Sequence, residues 1–428
     1  MKRSLCALLL ILTFGPSFGQ NDAKKEEPKF TWGADERIRL VFSDNMTDAE
    51  SAKDDEMNFM RFRSRAWGAY KFGHGVSVNG RFTNEFRRWS KPERDFTLHE
   101  LVVDNFYVEL KGTLTPRLTL KIGRQDIMLG EGFIMLDGNP LDGSRTIYFN
   151  AIRATVDIPK GTLEGFVIAN PSKDRFFPVI HDHDIVHQGL VEQQERAVGL
   201  YLTRQISKSA KGEFYHFTKR EQQRAAFPGS TIHTTGSRFS GTAGTLFRYS
   251  GELAVQSGTY GVNDRSGVGG YIEARKDLPF YKAASVMANY TRLTGDNPST
   301  IDNEGWNPVF SRWPKWSELY IYTLASESRV AYWTNLSMVS TGFNVKLNPT
   351  TDVDFIYRYM KSIKPGPTRP VIDPKGRSRG DMWLTKVNFR FNKYLSGHFL
   401  AELLKPGDFY LGNNNLSYFI RSELMIRK

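Results

Sequence analysis

Apolar and polar residues alternate along most of this chain with a period of two, in segment after segment. That period belongs to a β-strand, where successive side chains leave opposite faces. Ile38, Leu40 and Phe42 oppose Arg37 and Arg39; Met60, Phe62 and Ala66 oppose Arg61, Arg63 and Arg65. Val76, Val78 and Phe82 stand against Ser77, Asn79, Arg81 and Glu85, and Phe106, Val108 and Leu110 against Asn105, Tyr107 and Glu109. Leu118, Leu120 and Ile122 oppose Thr119 and Lys121, and Ile152, Ala154, Val156 and Ile158 oppose Arg153, Thr155 and Asp157. The rhythm continues through Leu163–Ala169, Val198–Leu202, Glu213–Lys219, Ser237–Phe247, Gly251–Gly258, Val268–Lys276 and Ala283–Thr294. It resumes at Asn335–Leu347, Val353–Lys361, Met382–Phe391, Gly397–Leu404 and Leu416–Arg427. This makes about 18 strands, most near the ~9–11 residues that a tilted membrane-crossing strand needs.

The connections sort by length. Short turns fall at Lys71–Gly75, Gly112–Pro116, Pro159–Gly161, Ile206–Ser209, Arg248–Ser250, Asp277–Phe280, Asn348–Thr351 and Asn392–Ser396, with long loops between them. Short turns on one side and long loops on the other are the pattern of an outer-membrane barrel. A soluble sandwich has no reason to sort its loops and would turn polar residues outward. The expected fold is all-β: a transmembrane antiparallel β-barrel with short periplasmic turns and long extracellular loops. An even strand number would put both termini in the periplasm.

The N-terminus agrees. Lys2 and Arg3 precede an apolar run, Leu5 to Phe14, and then the small residues Ser17 and Gly19. That is the layout of a secretory signal peptide, expected at 1–19, followed by a periplasmic lead-in at 20–35 and the barrel at 36–428. Cys6, the only cysteine, lies in the signal, which excludes disulfide scaffolds, thiol enzymes and Cys-ligated zinc from the mature chain. No later segment approaches the ~18 consecutive apolar residues of a membrane helix. Mean hydropathy is −0.44, a value that barrels share with soluble proteins because only alternate strand residues meet lipid.

Formal charge is +12, or +10 (12 − 2) without Lys2 and Arg3. A basic exported protein calls for anionic partners. The expected partners are anionic sugars or polysaccharide, outer-membrane lipid and lipopolysaccharide, and periplasmic secretion partners; nucleic acid is not expected. In a channel the useful cations lie on the inner wall, because screening at physiological salt acts within about 8 Å. The candidates are Arg61, Arg63, Arg65, Arg81, Lys121, Arg124, Arg153, Arg358, Lys386, Arg390 and Arg421. The stretch Arg117–Arg153 sets Arg124 and Arg153 near the two ends of a Gly-, Asp- and Pro-bearing loop. Arginine suits carboxylates through its bidentate fork. Acids on the same faces, Glu109, Glu252 and Glu423 with Glu85 and Asp157, would keep binding shallow enough for release. The opposing reading is a solvated wall whose charges pair only with one another.

Other features carry less. His181, Asp182, His183, Asp184 and His187 resemble a metal cluster but read as an exposed loop. Asp44, Asp48, Glu50, Asp54, Asp55 and Glu56 lack the spacing of a calcium loop. No nucleophile elbow, phosphate-binding glycine loop or metalloprotease spacing is present, so neither enzyme nor cofactor is expected. Trp67, Tyr70, Phe86, Trp89, Tyr271, Tyr357, Tyr359, Tyr410 and Tyr418 are placed for interfacial girdles. The long segment Gly295–Val330 reads equally as an inward fold or an external cap.

Several stretches, in order, resemble the alginate export porin family: Leu118–Gly130 (LTLKIGRQDIMLG), Phe149–Arg153 (FNAIR), Glu252–Gly258 (ELAVQSG), Thr294–Asp296 (TGD), Trp306–Trp313 (WNPVFSRW) and Asn335-Leu336. Asn150 departs from the family's usual aspartate, a change that bears on pairing near Arg153. The ending Ile426-Arg427-Lys428 departs from the usual terminal aromatic. The resemblance implies an outer-membrane barrel with a basic lumen, passing acidic polysaccharide, oligosaccharide or sugars by diffusion. A general anion-selective porin, or a secreted polysaccharide-binding protein or lyase, would use the same arginines.

Overall fold

Every strand of this chain has one face to give to lipid and one to water, and closure into a ring satisfies both. The computed structural model describes residues 28–47, 54–94, 101–136, 149–177, 191–225, 227–245, 247–278, 284–311, 316–319, 333–412 and 415–428. They form eighteen antiparallel strands in one closed sheet. These are β1 (Phe30–Asp44), β2 (Met57–Gly73), β3 (Val76–Lys91), β4 (Leu101–Lys111), β5 (Leu118–Gln125), β6 (Phe149–Ile158), β7 (Gly161–Asn170), β8 (Glu195–Ser207) and β9 (Ala210–Glu221). The ring continues with β10 (Ser230–Ala243), β11 (Phe247–Tyr260), β12 (Asn263–Leu278), β13 (Ala284–Leu293), β14 (Leu336–Asn348), β15 (Thr351–Lys361), β16 (Ser378–Arg390), β17 (Leu395–Pro406) and β18 (Ser417–Arg427). β1 pairs with β18 from Asp35↔Arg427 to Asp44↔Tyr418, so no strand edge is left unpaired.

The alternation sorts the faces as expected. Phe42, Phe82, Ile152, Val198, Leu200, Val255 and Phe343 point outward and are exposed, while Arg37, Arg39, Arg63 and Arg65 point inward and are buried. Three details differ from the sequence reading. β1 starts at Phe30 rather than Glu36, because Phe30 and Trp32 extend the outward apolar series and Phe30 already pairs with Tyr70. The β10–β11 hairpin turns around Gly244, at φ +59°, and not at 248–250. On the long-loop side, β11 and β12 are joined by only two residues, Gly261 and Val262.

The lumen is partly filled from within. Residues 126–136, between β5 and β6, bury Ile127, Phe133, Ile134 and Met135. They meet the β13–β14 loop, where Trp306, Val309 and Phe310 are buried. Phe133 stacks on Trp306 with ring centroids 5.2 Å apart, and the Phe310 N–H donates to Ile134 O at 3.0 Å. Trp306 lies flat on Gly269, where an added Cβ would come within 2.5 Å of the indole. Lys219 Nζ on β9 donates to Val309 O at 2.7 Å, and Gln256 Nε2 on β11 to Asn307 O at 2.8 Å. The described part of the 295–330 segment therefore folds inward.

Candidate functional site

One sector of the inner wall carries most of the arginines. Cross-strand register places Asp35 opposite Arg65, Arg37 opposite Arg63 and Arg39 opposite Arg61, so β1 and β2 present guanidinium groups on alternate residues side by side. The acids on this sector are few. Asp35 holds Arg65 through Nε at 2.9 Å and through Nη2, and stands 3.5 Å from Arg63. Glu423 on β18 accepts from Arg39 Nε at 2.6 Å, stands 4.0 Å from Arg37, and contacts His398 Nδ1 at 3.3 Å. Arg61 binds Glu85 on β3 at 2.9 Å. Arg37, Arg39 and Arg63 are only 1 % exposed, so they act on the lumen through their field rather than by contact.

Contact is available in a cavity of about 410 Å³ beside them. Its walls include Arg65, Arg81, Lys121, Arg427, Trp67 and Tyr107, with the amides Asn79 and Asn105. Each is set by strand parity. Trp67 lies flat on Gly33, whose missing Cβ leaves the space, and Arg427 stacks over the indole at 5.3 Å. Lys121 lies 5.2 Å from the Tyr107 ring centroid and 3.1 Å from Glu109. Arg81 is held by two carboxylates, Asp104 at 2.8 Å and Asp126 at 2.8 Å. Burial pushes the Asp126 carboxyl, in the loop beyond β5, above the ordinary aspartate range, against the opposing pull of Arg81. The cavity thus offers cations, amide groups and two ring faces, the groups that hold a carboxylated sugar.

The remaining sequence candidates scatter. Arg153 lines the wall and pairs with Glu164 through two 3.0 Å hydrogen bonds. Arg124 is corrected as a lumen candidate: it continues the outward series of Leu118, Leu120 and Ile122, opposite Phe106, and grips Asp174 of the β7–β8 loop through two 2.8 Å bonds, so it anchors a loop on the outer face. Asn150 accepts from Arg124 Nε at 3.1 Å, which corrects the expectation of a partner at Arg153. Arg421 binds Glu318 of the inward loop and donates from Nε to His398 at 3.0 Å. Arg358 is buried on β15, and among the described residues its Nε and Nη1 have no hydrogen-bond partner. Lys386 faces inward on β16, and Arg390 is exposed at that strand's periplasmic end.

Glu252 belongs to a different cluster on the opposite wall. Tyr215 Oη donates to it at 2.8 Å and Tyr271 Oη lies 3.4 Å away. Beside them Arg238 bridges Glu213 and the loop residue Glu131, the latter at 2.6 Å. The girdle expectation is corrected by parity: Trp67 and Tyr271 face the lumen and Tyr410 is buried in a loop contact, while Tyr70, Tyr357 and Tyr359 keep outward positions. His181, His183 and His187 lie outside the described residues, and among the described residues no cluster of three or more metal ligands occurs. Asp55 and Glu56 serve loop bonds to Asn45, Thr47, Asn58 and Lys91.

A closed ring of eighteen strands with a polar, cation-rich interior is the architecture of an outer-membrane porin. The chain matches the alginate export family model over residues 29–416 and belongs to that family. No curated protein matches its sequence. Solved structures of similar fold include OccAB1 of Acinetobacter baumannii, with a TM-score of 0.61, 12% identity, and coverage of 95% of this chain and 98% of that one. OccAB4 of the same organism gives a TM-score of 0.60 at 10% identity, covering 95% and 100%. OccK2 (OpdF) of Pseudomonas aeruginosa, solved in complex with glucuronate, gives 0.57 at 11% identity, covering 93% and 97%. The protein is a bacterial outer-membrane β-barrel, and its family and fold are those of a transport channel.

Proposed function

We propose that this porin passes acidic sugars, as uronate monomers or oligosaccharides, by diffusion along its arginine-bearing wall. The observation that carries the reading is the cavity lined by Arg65, Arg81, Lys121 and Arg427 together with Trp67 and Tyr107. A carboxylate is attracted by the first set, and a sugar ring stacks on the second. The buried Arg37, Arg39 and Arg63 add to the positive field behind that surface. At 4 Å a charge pair is worth about 1 kcal/mol in bulk water and about 4 at an effective dielectric of 20, so wall charges steer an anion. Acids such as Glu109 and Glu85 keep each contact weak enough for exit. Glucuronate bound in a barrel of similar fold supports the substrate class.

Single-channel recording in planar bilayers tests this. Under a salt gradient the reversal potential should report anion preference, and added uronate should reduce the current in a dose-dependent way. Anion preference without uronate block would leave a general anion porin. A cation-selective or silent barrel would defeat the reading.

A further inference from the structure

The outer wall of β8–β10 breaks the apolar pattern of its neighbours. Register aligns the outward residues in rows: Ala169, Arg196, Arg220, Thr231, Thr259 at the extracellular end, then Val167, Val198, Thr218, His233, Ser257, then Gly165, Leu200, His216, Thr235, Val255. Val198 and Leu200 are 54% and 58% exposed, which marks the lipid-facing band directly below Arg196. On β9 and β10 the outward series at the same depth is polar.

Arg196 and Arg220 stand directly opposite each other, both exposed. Like charges at opposed strand positions repel, and among the described residues neither arginine has an acid partner. The acids next to them in sequence, Glu195 and Glu221, turn inward and are held by Lys219 at 2.7 and 3.0 Å. Below the pair, Thr218 and His233 Nδ1 lie 3.0 Å apart and His216 Nδ1 and Thr235 Oγ1 2.8 Å apart. These bonds leave the outer edges of hydroxyls and imidazoles facing the membrane. Polar groups facing hydrocarbon alone are unfavourable.

We infer that this face is a docking site for a phosphorylated lipid head group of the outer leaflet. The phosphate is clamped between Arg196 and Arg220, and the sugar hydroxyls and amides of the head group meet the Thr218, His233 and Thr231 strip. Two guanidinium forks at the top of the apolar band, with no competing acid among the described residues, match a phosphate at head-group depth. The hydrogen-bonding strip below matches a glycolipid head group.

The test uses the full barrel in detergent, titrated with bisphosphorylated lipid A and followed by native mass spectrometry. We expect retained lipid A, binding about tenfold weaker in Arg196→Ser or Arg220→Ser, as one charge-assisted contact is lost. A larger loss is expected in the double variant. Arg220→Lys should fall between, and Arg204→Ser, at the periplasmic end of β8, should bind as the parent does. Equal binding by the double variant and the parent would overturn the assignment. So would equal binding of dephosphorylated lipid A, or full displacement by millimolar inorganic phosphate, which would mark a free-anion site. Both arginines are outside the lumen, so bilayer conductance confirms that each variant is folded.

Discussion

The two halves of the inner wall use charge in opposite ways. On β1–β3 and β18, arginines recur at alternate residues, with Asp35, Glu85 and Glu423 as the acids between them. On β9–β12 the inward cations Lys219 and Arg238 are tied down. Lys219 holds Glu195, Glu221 and Val309 O, and Arg238 holds Glu213 and Glu131. The second wall also carries the inward loops, seated on its glycines and tyrosines. One wall offers its charge to the lumen; the other spends it on holding the constriction.

The sharpest way to break this comparison is Arg238→Ala. It removes two charge-assisted contacts, one to Glu213, which keeps Lys211, and one to Glu131, which keeps Tyr271, a loss of about 3–5 kcal/mol, read as a lower unfolding midpoint in denaturant. Arg61→Ala, which removes a single such contact, to Glu85, should cost about half as much, ~1.5–3 kcal/mol. Equal losses would mean that the two walls do the same work. A smaller effect concerns selectivity. Removing inner-wall charge in Arg61→Gln/Lys121→Gln/Arg427→Gln should lower the anion-to-cation permeability ratio about fivefold, the equivalent of ~1 kcal/mol. The matching triple change on the other wall, Lys211→Gln/Arg248→Gln/Arg275→Gln, should move the reversal potential much less.

The smallest expected effect is with pH. Burial raises the folded pKa of Asp126, so its ionised form costs stability, and the favourable contribution is present at low pH and lost as pH rises through that raised value. Protonation also takes one of the two carboxylates from Arg81. Uronate block should therefore strengthen about two- to threefold as pH falls from neutral toward the ordinary aspartate range. Asp126→Asn should show the strong block already at neutral pH. A parent protein with flat block over that range would remove Asp126 from the account.

Much of the barrel was legible because its signal is local. Parity alone put Arg61, Arg63 and Arg65 on one face and Met60 and Phe62 on the other. Parity also paired Arg37 and Arg39 with them, although they were not among the candidates; nothing local said that Asp35 and Glu423 were too few to neutralise the set. The turn placed at 248–250 slipped because Arg248, Tyr249 and Ser250 are polar enough for a turn, while the positive φ that reverses the chain belongs to Gly244. Trp67 and Tyr271 sit near strand ends, as girdle residues do, but their parity sets them on the lumen side.

Sequence alone settles the face each strand residue takes, since a side chain's direction follows from a repeat of two residues. That set the all-β class, the approximate strand number, the sorting of loops and the basic character of the interior. Which charges meet is settled by the folded ring. Arg124 finds Asp174 fifty residues on, Arg238 finds Glu131 across 107 residues, and Lys219 finds Val309 across 90. Those contacts depend on where irregular loops land, inside the ring for Glu131 and Val309 and against its outer face for Asp174, and no periodicity carries that information along the chain. An arginine on the inner face is used for anions or for holding a loop according to whether an acid from such a loop reaches it.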